Sequence, residues 1–279
     1  MTFIFKPKVI LLSFLLLFML PQQGYSAPQN GWQKLNVARR YNLYWGGMTA
    51  GYMMAEIREI KPDIYHFELR IHSKGLLDLF IKYRSETTAD FRYTKDGQVL
   101  PIYFHSHGTL RGSDRTTTIT YDNNGNVASS ITDPPIRIWK RDIVPLKRLV
   151  DTPDPLTAAV ISREIIKRYI DTPERQGANF HIPIYDGRRL GDYIFNLSNN
   201  QPLHFHHRTV PVIEMTFTRK PILGFSGNEL KKLKDEPNIH VFMEKDTMLL
   251  PLKAEARVLY GTATIIYDRD CISINECPH

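Results

Sequence analysis

The chain alternates apolar and polar residues through Tyr65-His66-Phe67-Glu68-Leu69-Arg70-Ile71-His72. Successive side chains of a β-strand point to opposite faces, so this period of two predicts a strand with one buried face and one solvated face. His66 and His72 lie on the polar face. The segment therefore predicts a sheet that covers a core with one side only.

Similar segments lie on both sides of it. Residues 48–60, 86–93, 99–107 and 116–121 are rich in aromatic and β-branched residues, and turn sequences such as Lys95-Asp96-Gly97 separate them. Prolines accumulate over residues 132–156, which predicts a long connection. Strands are predicted again at residues 179–185, 190–197, 203–209, 212–218, 239–244, 251–260 and 263–268. The first group reads as an antiparallel meander.

One helix is predicted, over residues 155–170. Asp154 is placed to cap it and Pro155 suits its first turn. Its apolar residues fall on one broad face, whereas Arg163, Glu164 and Lys167 fall opposite, on a face expected to meet solvent. With roughly a dozen strands, the predicted fold is mainly β: a highly curved antiparallel sheet, or an incomplete, spiral-like barrel, packed around one central α-helix.

The first residues have the features of an export signal. Lys6 and Lys8 precede an apolar run over residues 9–20, and small residues follow near Ser26. The run is too short to span a bilayer, which takes about 20 apolar residues. We therefore expect residues 1–26 to be a signal peptide cut near Ser26/Ala27, residues 27–279 to form a single β-rich domain, and the mature chain to have no stable membrane anchor.

Charge excludes one class of partner. The formal net charge of +7 falls to +5 without residues 1–26, and the basic residues are scattered along the chain. Nucleic-acid-binding proteins cluster such residues on one element, so no nucleic acid partner is expected. The densest group, Lys231-Lys232-Leu233-Lys234, is interpreted as a solvated loop; an anionic lipid surface stays open as a partner.

The two cysteines lie close together near the C-terminus. Cys271 and Cys277 are separated by five residues, and no other cysteine is present. In an oxidising compartment two such thiols usually pair, so we predict a disulfide that pins the tail locally.

Several short motifs, in this order, resemble one bacterial family. They are Tyr44-Trp45-Gly46-Gly47-Met48 with Ala50-Gly51, Asp96-Gly97 with Leu100-Pro101, Asp154-Pro155-Leu156-Thr157-Ala158, Asp186-Gly187-Arg188 and Leu249-Leu250-Pro251-Leu252. The set is similar to the domain-of-unknown-function 3108 family over nearly the whole mature chain. The resemblance implies a protein of the Gram-negative periplasm with a curved, spiral-like sheet around a helix. It brings no catalytic residues.

The histidines are the strongest chemical candidates. His105 and His107, and likewise His204 and His206, place two imidazoles on one face of a strand, a spacing that can present ligands to zinc or copper. Four nitrogens could converge if the two strands were neighbours. No carboxylate or cysteine accompanies either pair at a characteristic spacing, so polar strand faces are the simpler interpretation and no metal is predicted.

No catalytic motif is found. Gly224-Phe225-Ser226-Gly227 misses the spacing of a serine nucleophile elbow by one residue and is interpreted as a loop. A phosphate-binding glycine loop is absent from the sequence as well. We therefore expect a protein that is not an enzyme and holds no cofactor.

A second candidate site is apolar. Leu76, Leu77, Leu79 and Phe80 follow Gly75 between two strands, and they read as a lid or a docking turn, or else as residues buried under the helix. A sheet that does not close leaves a concave face, where lipids and small molecules bind.

These features lead to a main hypothesis and two alternatives. The main one is a non-enzymatic periplasmic envelope protein that binds a partner protein or an acyl-chain ligand in a curved β groove. The alternatives are a metal-binding or metal-dependent enzyme that uses the paired histidines, and a purely structural envelope factor.

Overall fold

The structure, a computed structural model, describes residues 36–75, 78–79, 82–136, 141–170, 179–199, 202–205, 207–233, 238–258 and 261–278. The predicted signal segment, residues 1–26, lies outside these ranges.

The described chain is mainly β. Its strands are β1 (Val37–Trp45), β2 (Met48–Lys61), β3 (Ile64–Ser73), β4 (Tyr83–Tyr93), β5 (Val99–Leu110), β6 (Ser113–Tyr121), β7 (Val127–Asp133), β8 (Asn179–Tyr185), β9 (Leu190–Asn199), β10 (Leu203–Phe205), β11 (Arg208–Val210), β12 (Val212–Leu223), β13 (Ile239–Glu244), β14 (Pro251–Val258) and β15 (Gly261–Cys271). Two α-helices are described, α1 (Pro155–Ile170) and α2 (Gly227–Leu233), with a 3-10 turn at Leu146–Arg148.

Thirteen strands form one antiparallel sheet in the order β7-β6-β5-β4-β3-β2-β1-β15-β14-β13-β12-β9-β8. The prediction of a large antiparallel sheet is confirmed. The prediction of one continuous strand over residues 203–209 is wrong. The chain reverses near His207, which has a positive φ of 66°. These residues contribute to β10 and β11, which pair as a separate two-stranded sheet.

The two ends of the large sheet contact each other through side chains. β7 and β8 end the strand order and have no ladder between them, so the sheet is not closed into a barrel. The Tyr185 hydroxyl of β8 nevertheless forms a 3.1 Å hydrogen bond with Ser130 Oγ of β7. A Cβ on Gly187 would overlap the Thr117 side chain of β6, which shows how closely the β8–β9 turn approaches β6. The sheet is therefore strongly curved.

The alternation in β3 has the predicted effect. Tyr65, Phe67, Leu69 and Ile71 are buried in the main hydrophobic cluster. The outer face is only partly wet, because the C-terminal residues lie on it: Ile274 and Cys277 are buried and pack against Tyr52 and Met54 of β2.

The disulfide prediction is confirmed. Cys271, at the end of β15, is bonded to Cys277. The Ile274 N–H also donates to Glu56 of β2 over 3.0 Å, and Arg70 donates to Asn275 over 2.9 Å. The short closed loop is thus fastened to the outer face of β2 and β3.

Helix α1 has the predicted bounds and cap. Asp154 Oδ1 accepts hydrogen bonds from the backbone N–H groups of Leu156 and Thr157, each 2.9 Å long, and Oδ2 accepts from the Thr157 hydroxyl over 2.6 Å. These bonds satisfy donors that have no partner in the first helical turn. The helix packs against β4, β5 and β8.

The predicted solvent face of α1 is wrong in part. Arg163 and Glu164 are only 4% and 2% exposed. Both are buried because elements cover the helix on more than one side: Glu164 accepts from Tyr93 of β4, and Arg163 donates to the Met248 carbonyl after β13. The 2.5 Å pair between Arg163 and Glu164 compensates the two buried charges.

The prediction of a solvated loop around Lys231 is also wrong in part. Lys231 and Lys232 lie in the last turn of α2, although both are exposed as predicted. The helix begins at a reciprocal cap, in which Glu229 accepts from the Ser226 backbone N–H at 2.7 Å and from its hydroxyl at 2.8 Å. This is the capping-box arrangement, so Ser226 begins a helix.

Candidate functional site

An apolar cavity lies between helix α1 and the inner face of the sheet. Strands β1, β2 and β3 form one wall, β14 and β15 a second, and the helix closes the third side with the segment before β14. The lining residues are Val37, Arg39, Tyr41, Met53, Ala55, Ile57, Phe67, Leu69, Leu156, Ala159, Val160, Arg163, Leu249, Leu250, Pro251, Lys253, Ala254 and Ile265.

The strand periodicity explains this lining. Val37, Arg39 and Tyr41 are alternate residues of β1, and Met53, Ala55 and Ile57 are alternate residues of β2, so both sets point to the core side. Small side chains on two facing elements leave the space: Ala55 on the sheet and Ala159 on the helix. The cavity is thus a product of where the sequence places alanine.

The cavity has a volume of about 110 Å³. Protein interiors are close-packed, and an empty cavity costs stability in proportion to its volume. This cavity opens to solvent, so an apolar group that enters it leaves water and contacts the apolar lining. The cavity is therefore a candidate binding site for an aliphatic chain.

Two of the three basic lining residues are already engaged. Arg163 donates to Glu164 and to the Met248 carbonyl, both at 2.5 Å. Lys253 forms an ion pair with Glu255 at 2.6 Å, and its Nζ lies 5.4 Å from the centre of the Phe242 ring. Both charges are thus compensated by neighbouring groups.

The third basic lining residue, Arg39, also has partners: its guanidinium carbon lies 4.6 Å from the centre of the Tyr267 ring. Its Nε donates to Asp270 over 2.9 Å, and the Asp270 side chain is 63% exposed, so this end of the cavity reaches the surface. The Arg39 Nη1 is buried and has no hydrogen-bond partner among the described residues. A buried guanidinium N–H without an acceptor is costly, and a carboxylate or phosphate oxygen would satisfy it.

Tyr41 lies beside Arg39 on the cavity wall. Burial raises the pKa of Tyr41 to about 12, although the neighbouring Arg39 charge acts in the opposite direction. Its hydroxyl stays neutral at physiological pH. No acidic residue is among the lining residues, and the carboxylate that compensates Arg39 is that of Asp270, outside the cavity.

The histidine pairs do not converge. β5, which carries His105 and His107, pairs with β4 and β6, whereas His204 lies on β10 in the separate hairpin. His105 bonds to Thr118 and His204 to Thr209, each over 3.1 Å. His206 lies outside the described residues. Within the described part of the chain, no group of three or more histidine, cysteine, aspartate or glutamate side chains could hold a metal ion.

Of the four apolar residues predicted to form a lid or docking turn, Leu79 is the one that the structure describes. Leu79 is 79% exposed, so burial under the helix does not hold for it. The carboxylate of its neighbour Asp78 accepts hydrogen bonds from Ser73 Oγ over 2.5 Å and from Arg84 Nη1 over 2.7 Å. Leu76, Leu77 and Phe80 lie outside the described residues, and none of the described part of the turn lines the cavity.

The cavity itself was missed at the sequence level. Arg39, Ala55 and Ala159 carry no motif. One signal was the segment Leu249-Leu250-Pro251-Leu252, whose first three residues line the cavity. A second signal was Arg39, a charged residue among the inward-facing positions of β1.

Comparison with known protein families assigns the chain to one of them. Residues 40–267 match the family described as "Protein of unknown function (DUF3108)". The chain belongs to the DUF3108 family. The matched residues include most of the cavity lining and the whole of α1. No curated protein matches the DUF3108 chain.

A solved structure resembles the DUF3108 chain in shape. It is described as a beta-barrel-like protein of domain of unknown function DUF1849 from Brucella abortus. The two share 10% sequence identity with a TM-score of 0.49, over 85% of this chain and 98% of the other.

Across the described residues, the helices are too short or too polar to cross a bilayer.

Proposed function

We propose that this DUF3108 protein is a non-enzymatic protein of the bacterial cell envelope that binds the apolar chain of an anionic amphiphile. The aliphatic end occupies the cavity between α1 and the sheet, and the acidic head group meets Arg39. The observation that carries the proposal is the combination of an apolar cavity of about 110 Å³ with a buried, unpaired Arg39 Nη1 on its wall.

The shape of the sheet supports this role. We propose that the sheet wraps α1 as a spiral-like, incomplete barrel with the helix at its centre. In support, Tyr93 from one half of the strand order and Met248 next to the other half contact adjacent residues of α1. A helix inside an open barrel leaves space only where side chains are small, as at Ala159.

The cavity size limits the ligand. An engineered apolar cavity of about 150 Å³ holds a benzene-sized molecule, so a cavity of this size accepts a short aliphatic segment and not a folded lipid. Fatty acids and the ends of single acyl chains fit this description. The alternative ligand is a partner protein, which would insert a single apolar side chain into the same cavity.

Location in the periplasm completes the proposal. Residues 1–26 have the order of an export signal, and the disulfide between Cys271 and Cys277 suits an oxidising compartment. Cell fractionation and N-terminal sequencing test this part. A mature chain that begins at or near Ala27 in the periplasmic fraction is expected, whereas an uncut chain in the cytoplasm contradicts it.

Native mass spectrometry tests the binding itself. The protein purified gently from native cells should carry an added mass that matches one fatty acid or one acyl-chain lipid. Arg39→Gln should reduce that bound fraction, whereas Arg269→Gln, on an arginine that pairs with Asp268 and is not among the lining residues, should not. A protein that carries no such mass and takes up no added fatty acid contradicts the proposal.

A further inference from the structure

A second basic site lies where the two ends of the sheet meet. Four arginines from three parts of the chain influence one another electrostatically there, together with two carboxylates. The arginines are Arg115 of β6, Arg141, and Arg188 and Arg189 of the β8–β9 turn; the carboxylates are Asp186 and Glu229. We call this set the arginine cluster. It holds two more positive than negative charges.

Both carboxylates are engaged by two of the arginines. Asp186 pairs with Arg189 at 2.5 Å, and Glu229 pairs with Arg141 at 3.1 Å and with Arg189 at 3.6 Å. Glu229 also accepts the two cap bonds from Ser226. Little acceptor capacity is left for the remaining arginines.

Arg188 is held in place without a counter-charge. Its Nη2 donates to the Pro134 carbonyl over 3.0 Å, which fixes the side chain beside the end of β7. Its Nε is buried and has no hydrogen-bond partner among the described residues. An oriented guanidinium with an unused N–H is ready to accept an anion.

Arg115 lies next to it. Thr116 pairs with Asp133, the residue before Pro134, so Arg115 lies at the level of the carbonyl that Arg188 binds. Arg115 also shares a strand face with Thr117, against which Gly187 packs. No carboxylate within 4 Å pairs with Arg115 or Arg188 in the described ranges.

The two side chains repel each other. Burial, Arg115 and Arg141 together lower the pKa of Arg188 to about 10, and burial with Arg189 and Arg141 lowers the pKa of Arg115 as well. Both groups stay charged at neutral pH, but their charged forms are disfavoured in this environment. A bound anion would relieve this repulsion.

We propose that Arg115 and Arg188 form a binding site for a phosphate group, with phosphomonoesters as the preferred class. Guanidinium groups match phosphate oxygens with two parallel N–H bonds each, and two unneutralised guanidiniums match a dianion. Phosphomonoesters carry nearly two charges at neutral pH, unlike diesters. None of the four arginines lines the apolar cavity, so this site is independent of the proposed acyl-chain function.

Titration calorimetry with inorganic phosphate at constant ionic strength tests the site. Arg115→Gln combined with Arg188→Gln should weaken binding by about tenfold or more, since hydrogen bonds to charged groups are worth at least one factor of ten. Arg257→Gln removes one exposed arginine of β14 and serves as the charge-matched control, with no change expected. Arg188→Lys keeps the charge but loses the two-pronged geometry, so it should weaken binding as well.

Vesicles distinguish the two sources of phosphate. Phosphatidylcholine vesicles with phosphatidic acid carry phosphomonoesters, and those with phosphatidylglycerol carry diesters. Cosedimentation with the first kind that is lost in the double variant assigns the site to lipid head groups, whereas binding of inorganic phosphate alone assigns it to a soluble phosphate. Either of these two results supports the proposed phosphate site.

Three results would overturn it. One is the absence of saturable binding to phosphate and to both kinds of vesicle. Another is equal weakening by Arg257→Gln, which would mean that only net charge matters. The third is unchanged binding in a folded double variant; Arg115 has the more accessible side chain of the two, so the single variant Arg115→Gln keeps the test valid if the double variant unfolds.

Discussion

The Tyr185 hydroxyl lies 3.1 Å from Ser130 Oγ, and the hydrogen bond between them joins the two end strands of a thirteen-stranded sheet. The same hydroxyl donates its hydrogen to the Gly187 carbonyl over 2.9 Å, so Ser130 is the donor to the Tyr185 oxygen. No backbone ladder connects β7 with β8, so side chains alone hold this junction among the described residues. The junction between the two sheet ends therefore depends on side-chain contacts such as these.

Tyr185→Phe should destabilise the fold. The substitution removes the acceptor of the Ser130 hydroxyl and the donor to the Gly187 carbonyl, which costs about 1–3 kcal/mol in a buried site. Urea unfolding measures the loss. Tyr103→Phe is the control, because Tyr103 lies on β5 and its ring only stacks on His105; its effect should stay within about 0.5 kcal/mol. Equal effects of the two variants would contradict the role of the junction.

Gly187→Ala should act at the same place. Gly187 has a φ of +86°, and an added Cβ would overlap the Thr117 methyl group. We expect a loss of more than about 1 kcal/mol in the free energy of unfolding. Gly227→Ala, at a position with open space, is the matched control. Adding Thr117→Ser should restore part of the stability of Gly187→Ala; no recovery at all would argue against the close contact.

Asp154 should make stability depend on pH. Burial raises the pKa of this carboxyl from 3.8 to about 6 despite its cap hydrogen bonds. Between these values the folded chain holds more protons than the unfolded chain, so the contribution of Asp154 to stability is present below about pH 4 and is lost as pH rises through 6. Compared with Asp154→Asn, the wild-type protein should lose about 2–3 kcal/mol over that range.

Unfolding measured at several pH values checks this prediction. Asp122 is the internal contrast, because backbone hydrogen bonds, first from Asn126, lower the pKa of its carboxyl. Its contribution is present above its unfolded pKa and is lost as pH falls, so Asp122→Asn should change the slope in the opposite direction. A pH profile identical in wild type and Asp154→Asn would contradict the burial argument.

The tail should come loose without its disulfide. Replacing Cys271 and Cys277 by serine removes a loop constraint worth about 2 kcal/mol and frees the segment that covers Tyr52 and Met54. Limited proteolysis should then cut near Ile274 at a faster rate than in the oxidised protein. Ile274→Ala should have a similar effect with the disulfide intact, because Ile274 is only 2% exposed. Resistance of both variants would show that the tail does not need these anchors.

Local sequence rules account for most of the elements. Alternation in β3, the Asp154 cap and Pro155 at the start of α1 all act within a few residues, and the structure has them where the patterns predict. The burial of Arg163 and Glu164 could not be predicted, because their partners Met248 and Tyr93 are about 70 or more residues away in the chain. The Ser226 and Glu229 cap was available in the sequence and was overlooked.

The candidate site was harder to predict than the fold. Ala55 and Ala159 both line the cavity, and the approach of their two elements depends on packing between distant parts of the chain. The histidine pairs had local spacing in their favour, yet β5 and β10 belong to different sheets. Spacing within a strand does not determine which strands become neighbours.

Ala159→Leu separates a binding cavity from an ordinary packing defect. The larger side chain fills space on the cavity wall, so the lipid-free protein should gain about 1 kcal/mol in its free energy of unfolding. The same variant should bind fatty acid more weakly, because stability and function compete for the space. Thermal unfolding with and without added fatty acid measures both effects. Destabilisation of the lipid-free variant would mean that the cavity has no usable space.

The central claim is tested most directly by titrating the delipidated protein with saturated fatty acids of increasing chain length. The account predicts one saturable site whose affinity rises by about 0.8 kcal/mol per added CH₂ until the cavity is full and then levels off. Arg39→Gln should lower every affinity without moving the length at which the plateau begins, whereas Ala159→Leu should move the plateau to shorter chains. No saturable binding, or affinities that neither variant changes, would contradict the claim.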